Sequence, residues 1–109
     1  MRRFGQIIGI DANRIDEYIS LHTSIWPEIT LALAAAEIHN YSIFHRGDLL
    51  FGYYEYHGPE DEYDEQMAMV AASPKMAAWW AVVGDMQRPL PDRAPGAWWV
   101  DMDCAFHMD

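Results

Sequence analysis

The sequence predicts an α+β fold of order β-α-β-β-α-β, and three features support this reading. Apolar residues alternate near both ends of the chain, a helical period follows the first alternation, and two β-branched and aromatic runs flank a short turn in the middle. At 109 residues the chain has the usual size of one domain, so residues 1–109 are expected to form a single unit around one core.

Phe4 to Ile10 sets Phe4, Gln6, Ile8 and Ile10 against Gly5, Ile7 and Gly9, which predicts a strand whose glycine-bearing face lies close to another backbone or a ligand. Asp11 or Asn13 can cap the helix that follows, Asn13 having Asp16 three residues on. Ile15, Tyr18, Ile19, His22 and Ile25 then recur at helical spacing. Pro27 removes a backbone donor and crowds the preceding turn, so the helix should break or kink around Thr23 to Trp26 and continue to about Glu37. Ile38–His45 and Leu49–His57 read as a hairpin around Arg46-Gly47-Asp48. Glu60–Ala72 is helix-compatible. Ser73-Pro74 then starts another helix, expected to reach about Gln87. Pro89, Pro91 and Pro95 make Arg88–Gly96 a surface connection. From Trp98 to Met108 a clean alternation predicts the last strand, with Trp98, Val100, Met102, Cys104, Phe106 and Met108 on its apolar face and Cys104 buried there.

This order matches a ferredoxin-like sandwich, with the helices on one face of an antiparallel sheet. The opposite face needs a cover, and a homodimer that packs two such sheets together would supply one and account for the high aromatic content.

Composition excludes several functions. With 51% hydrophobic and 14% aromatic residues the chain is too rich in core formers to be disordered, while no apolar run is long enough to span a bilayer. A net charge of −10 repels phosphate backbones, so nucleic acid is not an expected partner, and the acidic stretch Glu60–Glu65 reads as a solvated helix start. The single Cys104 and the lack of a signal-like start point to a reducing, cytoplasmic setting. The five histidines show no ligand-pair spacing, so no metal is expected. No Gly-x-Ser-x-Gly elbow or phosphate-cradling glycine loop is present, so neither a hydrolase serine nor a nucleotide cofactor is expected.

What remains is a stripe of Tyr18, His22 and Trp26, four residues apart on one helical face. A purely structural stripe would favour aliphatic residues, because each of these side chains needs a polar partner when buried. Together with Tyr41, Trp79 and Trp80 it suits a sugar, whose apolar C–H patches stack on aromatic rings while its hydroxyls take a few fixed polar partners. Adjacent residues on a helix point about 100° apart, so at most one of Trp79 and Trp80 can face the site squarely.

Tyr18-x3-His22 followed by Ile25-Trp26-Pro27-Glu28, then His39-Asn40-Tyr41, Trp79-Trp80 and Phe106-His107, resembles the L-rhamnose mutarotase family, in order and across nearly the whole chain. The resemblance implies a dimeric α+β barrel that interconverts the α and β anomers of a 6-deoxy-L-hexose without metal or cofactor. It implies that His22 is the proton donor and that Tyr18, Tyr41, Trp79 and Trp80 contact the sugar, with Trp26 and His107 as additional pocket candidates. The stretch Tyr56–Glu65 is longer and more acidic than the family pattern, and the ending Phe106-His107-Met108-Asp109 is a variant associated with relatives acting on other sugars. L-rhamnose, L-fucose and related aldoses therefore remain open as substrates.

Anomer exchange moves one proton from the anomeric hydroxyl and another to the ring oxygen, which histidine near neutrality can assist. Tyr18 is cast as an orienting hydrogen-bond group, with Glu28, Asp103 or water as the proton-transfer partner of His22. Two other classes stay open: a cofactor-free oxygenase on the same scaffold, and a sugar-binding module in which no proton moves.

Overall fold

The computed structural model describes residues 1–109 and contains five strands and four α-helices. β1 (Arg2–Ile10) leads into α1 (Ile15–Thr23) and α2 (Pro27–Ala35). The hairpin β2 (Ile38–Arg46) and β3 (Leu49–Tyr56) follows, then α3 (Tyr63–Ala72), α4 (Pro74–Gly84), β4 (Gln87–Arg88) and β5 (Val100–Met102). The sheet is antiparallel in the order β2-β3-β1-β4, with β5 also on β1. This is the predicted α+β sandwich.

The predicted punctuation falls where local chemistry puts it. Asp11, not Asn13, supplies the cap after β1, its carboxylate accepting from the Asn13 N–H at 3.0 Å. Pro27 sits in the first turn of α2, where its missing donor is harmless, and separates α1 from α2. The Ser73 hydroxyl accepts from the Met76 N–H at 3.4 Å and opens α4. Gly47 takes a φ of 59° in the β2–β3 turn, a conformation that glycine adopts without steric cost.

The helices bury Tyr18, Ile29, Val70, Met76, Trp79 and Val83 against the sheet face that carries Ile8, Ile10, Leu50, Tyr54 and Tyr56. On the other face Ile7 pairs with Phe51, and Phe44 with Phe51, leaving an apolar surface on which Phe44 is 67% exposed.

Three expectations are corrected. The last helix ends at Gly84 rather than Gln87, because the chain turns at Asp85-Met86 and hands Gln87 to β4. The fourth strand is split: β4 takes the Gly9–Ile10 end of the β1 edge and β5 takes Gly5–Ile7, with the proline-rich segment looping out between them. The predicted Trp98–Met108 strand therefore shrinks to Val100–Met102, since residues 103–109 find no backbone partner within the chain. For the same reason Cys104 is exposed rather than buried. Alternation reports that a segment suits a half-buried strand, but not which edge it will pair with.

Candidate active site

His22 lies in the last turn of α1, and its Nδ1 is 2.7 Å from the main-chain carbonyl of Tyr18. A carbonyl can only accept, so Nδ1 carries a proton and donates it. The neutral ring then keeps its lone pair on Nε2. Burial pushes the His22 pKa below its usual value of 6.5 and outweighs the opposing effect of the carbonyl. The imidazole is thus uncharged near neutrality and free to accept a proton at Nε2. Tyr18 stacks obliquely on it, with ring centroids 4.3 Å apart.

Both rings face a cavity of about 1140 Å³ between the helices and the sheet. No Asp, Glu, Lys or Arg lines it, and most of its wall is apolar or aromatic. Tyr41 reaches this cavity through an irregularity in β2. The β2–β3 register shifts between His39 and Ser42, and Asn40 adopts a φ of 52°. Tyr41 is thereby turned to the helix-facing side, where it stacks on Tyr54 at 5.2 Å. Its ring is partly exposed along the edge strand, but its hydroxyl lies deep, and burial there pushes its pKa up to about 12.

The two adjacent tryptophans divide as helical geometry requires. Both border the cavity, but Trp79 is buried in the core and packs T-shaped against His22 with ring centroids 5.1 Å apart, whereas Trp80 is 47% exposed. Trp26 does not line the cavity. It packs against Trp79 at 5.2 Å, edge to face, and supports it from behind. Gly52 makes room for Trp99, since a Cβ there would stand 3.3 Å from the Trp99 ring.

Several expected participants lie elsewhere. His107 is exposed near the chain end, hydrogen-bonded to Asp109 at 2.8 Å and absent from the cavity wall. Glu28 and Asp103 are both exposed and neither lines the cavity, so neither reaches His22 as its proton-transfer partner. His45 does border the cavity, but its Nε2 is held by the Gly47 carbonyl at 2.7 Å.

Sequence reasoning missed Gln6, Tyr54, Gln87, Trp98 and Trp99, all of which line the cavity. Gln6 carried a signal, being a polar residue on the apolar face of β1, where its Nε2 now donates to Asp101 at 2.9 Å. Gln87 carried none, because its burial depends on the turn after α4.

Fold and site together define a small α+β sandwich with an uncharged aromatic cavity and one free imidazole nitrogen, suited to a compact neutral ligand on which protons are moved. The profile of the L-rhamnose mutarotase family matches residues 3–108. An L-rhamnose mutarotase of Opitutus terrae is 35% identical and one of Bacillus subtilis 32%, each match covering all of both chains. The crystal structure of an L-rhamnose mutarotase from Formosa agariphila superposes with a TM-score of 0.78 at 20% identity, covering both chains in full. Tetracenomycin F2 cyclase from Streptomyces glaucescens shares the fold, with a TM-score of 0.71 at 12% identity over all of this chain and 98% of that one. The chain belongs to the L-rhamnose mutarotase family.

Proposed function

We propose that this protein interconverts the α and β anomers of L-rhamnose, or of a closely related 6-deoxy-L-hexose, with His22 as the group that moves the anomeric proton. The observation that carries the reading is His22, with Nδ1 bonded to the helix and Nε2 without a protein partner, lining a cavity that no Asp, Glu, Lys or Arg borders. An uncharged wall suits a free sugar and disfavours a sugar phosphate, whose dianion would find no cation there. Tyr41, Trp79 and Trp80 offer stacking surface and hydroxyl contacts for the ring, and Tyr18 supplies a further polar contact.

In this mechanism Nε2 removes the anomeric hydroxyl proton as the bond between C1 and the ring oxygen breaks, and the ring oxygen takes up a proton. Rotation about the C1–C2 bond exposes the other face of the aldehyde. On reclosure the imidazolium returns its proton to the carbonyl oxygen, so His22 acts as base and then as donor. Free sugars mutarotate unaided, so an acid–base contribution of about 10²–10⁴-fold is sufficient.

The reading extends to assembly and setting. The protein works as one domain and as a homodimer, whose second copy would cover the sheet face around Ile7, Phe44 and Phe51 and the exposed apolar residues of the chain end, Phe106 and Met108. No helix is long and apolar enough to cross a membrane, and the lone cysteine suits the cytoplasm. Light scattering at micromolar concentration should return the dimer mass, and a monomer would refute this part.

The activity is tested by saturation-transfer NMR between the anomeric protons across a panel of free aldoses. Exchange should rise far above the spontaneous rate, most strongly for L-rhamnose. Binding without acceleration would reduce the protein to a sugar-binding module, and oxygen uptake with a polyphenol would move it to an oxygenase.

A further inference from the structure

Gln87, 5% exposed, is the one buried residue with an amide or charged side chain, and both ends of its amide are engaged. The Trp98 indole Nε1–H donates to Gln87 Oε1 at 2.7 Å, and Gln87 Nε2–H donates to the Tyr18 hydroxyl oxygen at 3.0 Å. These directions follow from the groups themselves. An indole N–H can only donate, so the amide oxygen must face Trp98 and the amide nitrogen must face Tyr18. An amide nitrogen can only donate in turn, so the Tyr18 oxygen accepts and its own proton must point elsewhere. The Tyr18 hydroxyl makes no other hydrogen bond to protein, and its ring borders the cavity beside His22.

We propose that Gln87, locked in one amide orientation by Trp98, is a positioning residue that aims the Tyr18 proton into the cavity, making Tyr18 the acid that works opposite His22. This rests on the mutarotase reading and supplies a partner for His22 from the cavity wall itself, which Glu28 and Asp103 of the same chain do not line. The step balances. His22 Nε2 takes the anomeric proton, the O–H electron pair becomes the second C–O bond of the aldehyde, the C1–ring-oxygen pair moves onto the ring oxygen, and Tyr18 delivers its proton there. Imidazolium and phenolate are left, and reclosure on the other face returns each proton to its origin. Gln87 also stabilises the phenolate as it forms, because its N–H bond strengthens when the acceptor becomes charged. In the resting protein the same bond opposes burial, which pushes the Tyr18 pKa up.

The position of Gln87 is built into the fold. It pairs with Ile10 in the short strand β4, and β4 lies so close to β1 that a Cβ on Gly9 would stand 2.4 Å from the Arg88 carbonyl oxygen. Trp98 comes from the proline-rich excursion that separates β4 from β5. The split fourth strand thus delivers both members of the relay.

The experiment compares wild type with Gln87→Met, Gln87→Glu and Trp98→Phe by anomer-exchange NMR across pH. Gln87→Met keeps the volume and removes the donor. Its kcat should fall about tenfold with KM little changed, as expected for one lost hydrogen bond to the reacting group. The alkaline limb of its pH profile should move to higher pH, because Tyr18 loses the donor that favours phenolate. Gln87→Glu, whose ionised carboxylate can only accept, should draw the Tyr18 proton out of the cavity and lose more. Trp98→Phe frees the amide to flip and should show a smaller loss in kcat; this half-exposed position keeps the test decisive if the buried variants fail to fold. Folded variants with wild-type kcat, or a lower kcat with an unmoved alkaline limb, would overturn the relay. A wild type that accelerates no anomer exchange would remove the mutarotase reading itself. Tyrosine resonance Raman difference spectra, wild type against Tyr18→Phe, decide the relay independently of turnover: Tyr18 should read as an acceptor in wild type and lose that signature in Gln87→Met, and an unchanged signature would refute it.

Discussion

The Nδ1 of His22 lies 2.7 Å from the carbonyl of Tyr18, one helical turn earlier, and this contact between two residues decides which imidazole nitrogen can do chemistry. The proton on Nδ1 belongs to the helix and Nε2 belongs to the cavity. Burial then keeps the ring neutral to lower pH than an exposed histidine.

A pH dependence follows from that shift. The proposed mechanism needs neutral His22, so the acid limb of kcat/KM should have its midpoint below 6.5. Stability should follow the same group: as pH falls below 6.5 the unfolded chain gains a proton that the folded chain refuses, so unfolding becomes easier until the lowered folded pKa is passed. An acid limb above 6.5, or one that His22→Gln leaves in place in any residual activity, would dissociate the imidazole from the rate.

Mutations should separate proton transfer from ring holding. His22→Ala should lower anomer exchange about 10²–10⁴-fold while keeping sugar-dependent quenching of tryptophan fluorescence. Trp80→Ala, at a half-exposed wall position, should raise KM with little change in stability. Trp79→Ala removes a buried ring from the core and should destabilise the protein by about 3–5 kcal/mol. Near-normal exchange in His22→Ala at saturating sugar would reduce His22 to a ligand clamp.

Gly9→Ala tests the close approach of β1 and β4. The added Cβ would meet the Arg88 carbonyl oxygen at 2.4 Å, and backbone cannot rotate away as a side chain can. The expected cost is about 1–3 kcal/mol by denaturant titration. Activity should drop as well, because relief of the clash displaces Gln87. A stable, fully active Gly9→Ala would show that β4 tolerates displacement without consequence.

Part of the loss of stability in acid should come from Glu55. Its carboxylate accepts from His57, Asn40 and Tyr53 at 2.8, 2.9 and 2.7 Å, and these bonds hold its pKa down at about 2. A folded pKa below the unfolded value of 4.5 contributes stability that is present above pH 4.5 and lost as pH falls toward 2. Glu55→Gln should flatten the decline of the urea midpoint across that window. An unchanged slope would mean that the bonds persist in the unfolded chain or do not hold in solution.

The sequence by itself determined the layered architecture and which helical side chains meet at the cavity. Period and punctuation are local properties, so β1, the Pro27 break, the Gly47 hairpin and the Ser73 start of α4 were readable from neighbouring residues alone. The same holds for Tyr18 and His22, which a single helix brings together, and for the divergence of Trp79 from Trp80. Tertiary structure decided what depends on a partner far along the chain. Strict alternation from Ile38 would place Tyr41 on the wrong face, and only the register shift against β3 turns it to the cavity. The Trp98–Met108 alternation promised a long strand, yet β1 offers it only Gly5–Ile7 because β4 already holds the rest of that edge. Gln87 read as the end of a helix and became the buried link between Trp98 and Tyr18, since its environment is made by the packing of α4, β1 and the proline-rich loop rather than by its neighbours in sequence.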